Sequence, residues 1–102
     1  MIQRMKLNID DIVTDSLNKI PASVWDNPNT TFLDPAMGGG QFAKAIEEKL
    51  RSHGYSDESI HRRVFGLESN TIRVNFAVDT YKLVGNYSVA NFLNSEIGRA
   101  HV

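Results

Sequence analysis

With 102 residues the chain has room for a single small domain, and its 41% hydrophobic and 23% charged residues exclude a disordered tail, a collagen-like repeat and a low-complexity linker. Lys and Arg number 11 against 12 Asp and Glu, so the net charge of -1 lacks the basic excess of a free-standing nucleic-acid binder, and any such contact has to be local or made elsewhere. Cysteine is absent, which removes a disulfide framework, a thiolate metal site and a Cys nucleophile together and fits a reducing compartment.

The opening Met1-Ile2-Gln3-Arg4-Met5-Lys6 lacks the apolar stretch of a signal peptide, and no apolar run reaches the ~18–20 residues of a membrane span, so a soluble, cytoplasmic protein is expected. Ile9, Ile12, Val13, Leu17 and Ile20 recur at the spacing of one helix face, with Asp10, Asp11, Asp15 and Lys19 pointing elsewhere. Pro21 discourages continuation of that helix, and Trp25-Asp26-Asn27-Pro28-Asn29 reads as a connection in which Trp25 is a packing residue. Thr30-Thr31-Phe32-Leu33 predicts a short buried strand stopped by Asp34-Pro35. Beyond Gly38, Gly39 and Gly40, the residues Phe42, Ala45, Ile46, Lys49 and Leu50 share a helical face, while Glu47 and Arg51 are expected as an i,i+4 pair on the outside. Gly54 ends this helix, and one more helical turn fits between Ser56 and Arg63. Val64-Phe65-Gly66-Leu67 reads as a second strand ending at Glu68. Ser69 or Asn70 can cap the following helix, whose inward face is predicted from Ile72, Phe76, Ala77, Tyr81 and Leu83 and which closes at Gly85-Asn86. Tyr87-Ser88-Val89-Ala90 is the third predicted strand, ending at Asn91-Phe92-Leu93.

Strand, glycine loop, helix, strand, acidic residue, helix, strand is the alternation of an α/β fold, with about three parallel strands joined by right-handed crossovers and flanked by helices. Ligands of open parallel sheets bind at the carboxyl ends of the strands, and those ends carry Asp34, Glu68 and Asn91.

Asp34-Pro35-Ala36-Met37-Gly38-Gly39-Gly40-Gln41-Phe42 is the most informative stretch, because glycines between a strand and a helix let a backbone approach a ligand closely. Gly38-x-Gly40-x-x-Ala43 with Glu68 downstream also satisfies the dinucleotide fingerprint. Charge separates the two readings: an ionised Asp34 at the loop opposes a pyrophosphate but suits an ammonium group. S-adenosylmethionine offers an ammonium for Asp34, a carboxylate for the helix N-terminal amides and a ribose diol for Glu68, with Asn91 and Phe92 available to the adenine edge and face. The competing structural readings are a turn cap at Asp34, a helix cap at Glu68 and a core position for Phe92.

Phe32-Leu33-Asp34-Pro35-Ala36-Met37-Gly38-Gly39-Gly40-Gln41-Phe42 resembles the first motif of the S-adenosylmethionine-dependent DNA methyltransferases that act on the exocyclic amine of adenine: apolar, apolar, Asp-Pro-Ala, Cys or Met, Gly-x-Gly-x-Phe. Phe65-Gly66-Leu67-Glu68 is similar to their second motif, whose acid holds the ribose, and Ala90-Asn91-Phe92-Leu93 to a third in which Asp is commoner than Asn. Ile12 to Leu17 corresponds to the helix that precedes the first motif, without its usual Thr-Pro. The resemblance covers Ile9 to Leu93. It implies a partial Rossmann-like methyltransferase fold, S-adenosyl-L-methionine as cofactor, and Asp34, Pro35, Ala36, Met37, Gly38, Gly40, Phe42, Glu68, Asn91 and Phe92 as its contacts. It further implies a bacterial or phage-encoded enzyme of DNA methylation, of the kind met in restriction-modification systems. RNA or protein methyltransferases share the first two motifs and are the enzymatic alternative; a non-catalytic dinucleotide-binding module is the other.

The family's catalytic tetrapeptide, Asn, Asp or Ser followed by Pro-Pro and Tyr or Phe, has no counterpart, since Pro21, Pro28 and Pro35 are isolated. No catalytic residue is therefore assigned, and DNA contact is expected through regions missing from this sequence. Glu96-Ile97-Gly98-Arg99-Ala100-His101-Val102 reads as a translated sequencing adapter, which divides the chain into an amino-terminal helix and connection (1–29), a partial cofactor-binding domain (30–95) and an artefact (96–102). His53, His61 and His101 are scattered, so no metal site is expected. Arg62-Arg63 reads as a solvated face, and no serine stands in a Gly-x-Ser-x-Gly elbow.

Overall fold

The computed structural model describes residues 9–90; Asn91, Phe92 and the segment 96–102 lie outside the described residues. Helix α1 (Ile9–Asn18) turns Val13 and Leu17 inward and ends before Pro21. Where a plain connection was expected, Pro21 instead starts a short helix α2 (Ala22–Asp26), because its fixed φ of -58° suits the position before a first turn and Trp25 anchors that turn in the core. Strand β1 (Phe32–Asp34) leads through the glycine loop to α3 (Gln41–Ser52), then α4 (Asp57–Arg63), β2 (Val64–Glu68), α5 (Thr71–Tyr81) and β3 (Asn86–Val89). Ser56 caps α4 by accepting the Ser59 amide, and Asn70 caps α5 by accepting the amides of Ile72 and Arg73. Helix α5 stops at Lys82, which adopts the left-handed conformation, before the predicted Gly85-Asn86.

The three strands form one parallel sheet in the order β1-β2-β3, with Asp34 beside Gly66 and Glu68 beside Val89. Both crossovers run in the same direction across the sheet, so right-handed connections place α3 and α5 on the same face. The packing agrees. Val13, Leu17, Trp25, Ile46, Leu50, Ile60 and Val64 make one core under α1 and α3, and Met37, Ala43, Ala77 and Leu83 make a second under α5. Tyr87 packs against both. The opposite face carries Leu33 and Phe65, both exposed, and forms an open hollow of about 310 Å³ with Thr31, Gly66, Leu67, Asn86 and Ser88, to which no helix among the described residues contributes.

Three expectations are corrected by the interior. Glu47, expected on the outside of α3, is 0% exposed. It does meet Arg51, at 3.5 Å, but its carboxylate also accepts the amides of Val84 (2.9 Å) and Gly85 (3.1 Å) and the hydroxyl of Tyr87. Arg63, expected on a solvated face, is 3% exposed: Nε donates to Thr30 O and Nη2 to Asn27 O, both at 2.8 Å, with Tyr55 stacked on the guanidinium. On α5, Ile72 and Phe76 are 77% and 60% exposed, and Val74 turns inward in their place beside Ala77, which is buried as expected. The cause is Gly40, whose missing side chain admits Ala77: a Cβ there would stand 2.7 Å from that of Ala77.

Removing the Glu47 carboxylate strands three donors in a closed interior, so Glu47→Ala is expected to lower stability by about 3–5 kcal/mol in urea unfolding. Burial and the neighbouring carboxylate raise the Tyr87 hydroxyl well above its ordinary value. A group raised on folding stabilises fully below its unfolded pKa and loses that contribution as pH rises, so wild-type stability should fall above about pH 10 as unfolded chains ionise. Tyr87→Phe should be less stable at neutral pH by about 1–2 kcal/mol and show a shallower alkaline decline, read from urea midpoints between neutral and alkaline pH.

Candidate functional site

Parallel pairing brings the carboxyl ends of β1 and β2 to one edge, and strand alternation puts Asp34 and Glu68 in the series that faces the helices. The Pro35–Gly40 loop runs between this edge and α3. Asp34 accepts the Ala36 amide on Oδ1 at 3.0 Å, so the turn-cap reading of this residue is realised; among the described residues Oδ2 has no hydrogen-bond partner. Met37 ties the loop down, its amide donating to Leu67 O (3.0 Å) and its carbonyl accepting Gly40 N–H (2.9 Å). The Met37 side chain is buried, with Sδ 3.0 Å from where a Cβ of Gly66 would stand. Met37 thus holds the loop in place from beneath, and its side chain faces the core.

The glycines divide their duties. Gly38 has φ +54° and nothing within 4 Å of where its Cβ would be, so the chain bends there beneath open space. Gly40 has φ +88° and faces Ala77, and it stands at the start of α3 with no side chain capping the helix. The first-turn amides, which lack intrahelical partners by construction, therefore open toward the loop.

Glu68 ends β2 with Oε2 accepting Asn70 N–H (2.8 Å) and the Ser69 hydroxyl (3.2 Å); among the described residues Oε1 has no partner. Because Asn70 supplies the side-chain cap of α5, Glu68 is not needed for it. The Asn70 amide holds the Glu68 carboxyl below the usual carboxylate range, outweighing desolvation, with the Ser69 hydroxyl and Arg73 acting in the same direction. On the other side of Asp34, a hollow of about 320 Å³ is bounded by Ser16 and Leu17 of α1, Ile20 just beyond that helix, Leu33, and Phe42 and Ile46 of α3. The α1 residues were not singled out from the sequence as site residues; the signal was the placement of their amphipathic helix just before the glycine motif. Pro35 and Ala36 are exposed on the loop, and Phe42 is exposed at the hollow.

Among the described residues no group of three or more His, Cys, Asp or Glu is placed to hold a metal ion, and no helix is long and apolar enough to cross a membrane. No family model matches the chain, and no curated protein matches it.

The two glycine roles separate experimentally. Gly40→Ala adds both a forbidden conformation and a clash with Ala77, and is expected to cost about 2–4 kcal/mol, whereas Gly38→Ala meets open space and should cost about 1–2 kcal/mol. Thermal or urea unfolding of the two variants checks the order.

Proposed function

We propose that this chain is the cofactor-binding, amino-terminal part of an S-adenosylmethionine-dependent, adenine-specific DNA methyltransferase, with a partial Rossmann-like fold and a cytoplasmic setting. The observation that carries the reading is the pair of carboxylates, Asp34 and Glu68, on adjacent strand ends, each with one oxygen tied to the backbone and the other unpartnered among the described residues. Between them lie the open space above Gly38 and the uncapped start of α3. Those groups fit the cofactor: Asp34 Oδ2 can accept from its ammonium, the α3 amides can donate to its carboxylate, and Glu68 Oε1 can accept from a ribose hydroxyl. The chemistry supplied by bound S-adenosylmethionine is donation of its sulfonium methyl to the exocyclic amine of adenine in DNA.

The residues of this chain bind and orient; they do not activate the target amine. That task, with the stacking of a flipped base, belongs to the Pro-Pro tetrapeptide and to DNA-contacting regions outside this sequence. An exposed apolar sheet face supports the same reading, since parallel sheets are ordinarily covered on both sides.

Calorimetric titration with S-adenosylmethionine and S-adenosylhomocysteine tests the proposal. Both are expected to bind, and Asp34→Ala or Glu68→Ala should weaken binding roughly ten- to a hundredfold. Binding of a nicotinamide dinucleotide in their place, or affinity indifferent to both substitutions, would overturn it.

A further inference from the structure

We infer that Ser69 is a positioning residue for Glu68: its hydroxyl and the Asn70 amide together hold one carboxylate oxygen, leaving the other as the acceptor for a vicinal diol. The inference rests on the reading of Glu68 as the ribose acceptor. A half-buried glutamate at a strand end still has more than one accessible rotamer, and a ligand that needs one of them bears the cost of selecting it. Here the two hydrogen bonds formed both fall on Oε2, at 2.8 Å from Asn70 N and 3.2 Å from Ser69 Oγ, with the Ser69 backbone amide adding to the same pull, and no hydrogen bond falls on Oε1 among the described residues. The rotamer is therefore chosen before a ligand arrives. Asn70 is itself locked, because its side chain caps α5 at the amides of Ile72 and Arg73. Its backbone donor is inseparable from the fold. The Ser69 hydroxyl is the removable half of the clamp, and Ser69 is exposed with no part in either core.

The clamp also has a chemical consequence. Both donors favour the ionised carboxylate, as does Arg73 on α5, while Asp34 on the neighbouring strand end is the other charge at this edge. A carboxylate held below its ordinary range keeps accepting hydrogen bonds as pH falls and fails only on passing its own lowered pKa. Removing one donor moves that failure to higher pH.

The test uses the full chain and S-adenosylhomocysteine as probe, with Ser69→Ala, Ser69→Thr and Glu68→Gln. Ser69→Ala should lose affinity roughly three- to tenfold and lose binding at a higher pH than wild type, with an unchanged unfolding midpoint, and Ser69→Thr should restore both. Carbon NMR titration of the Glu68 carboxyl should show the same upward displacement without ligand, which a purely structural role would not produce. Wild-type affinity and pH profile in Ser69→Ala, while Glu68→Gln binds weakly, overturn this inference alone. Absence of binding by the wild type, or full affinity in Glu68→Gln, overturns the cofactor reading and this inference with it.

Discussion

The buried carboxylate of Glu47 is the joint on which the rest of the domain turns. It belongs to the helix that follows the glycine loop, yet what it holds is the start of the third strand, through Val84, Gly85 and Tyr87. A buried ion is costly in isolation, and here its lone pairs are taken up by two amides, a phenol and the Arg51 guanidinium, which is the condition under which such a group is tolerated. The Tyr87 ring lies over Gly66, where a Cβ would come within 2.7 Å of it, and Met37 of the glycine loop closes on that same glycine. Glu47 thus sets α3 against β3, and Tyr87 passes that constraint to β2 and the loop.

Arg63 does the equivalent work at the opposite end of the strands. It stands immediately before β2 and donates to carbonyls of the segment that leads into β1, so the two strands start in register. Phe32 is stacked on Trp25 at 5.0 Å and lies 5.9 Å from the guanidinium, which joins α2 to the same cluster. Register fixed at the amino-terminal ends is delivered at the carboxyl-terminal ends, where Asp34 and Glu68 sit. A slip of one residue would turn both carboxylates to the bare face of the sheet.

Apart from α2, periodicity is enough to read the order of elements, the parallel strands and the positions of Asp34 and Glu68 from the sequence, because each is a local pattern of apolar spacing ended by a polar residue. The misreadings share a cause. Glu47 and Arg63 look like solvent-facing charges in their own helices, and only partners more than thirty residues away in the chain make them internal. Ile72 and Phe76 look like a core pair at i,i+4, but the inward face of α5 is chosen by where its backbone can come closest, which is the gap left by Gly40. At Gly40 the sequence carries a second constraint that no local pattern reveals, since its missing side chain also makes room for Ala77, while the open space lies over Gly38. Helix α2 escaped notice because its five residues are too few to show a period, and its stability comes from burying Trp25.

What the site can accept follows from its balance of charge. A helix start contributes the equivalent of roughly half a positive charge, and that is what a diphosphate would have to rely on. Against it stand two carboxylates on adjacent strand ends, one of them favoured in its ionised form by hydrogen bonds, with Arg73 as its opposing cation. Among the described residues these charges leave the edge net negative, which opposes a ligand carrying several negative charges. The proposed zwitterion, with its ammonium toward Asp34, its carboxylate over the α3 amides and an uncharged diol at Glu68, would meet attraction at each point. The same glycine spacing can serve either class of ligand, and it is the sign of the residues bounding the loop that favours the second.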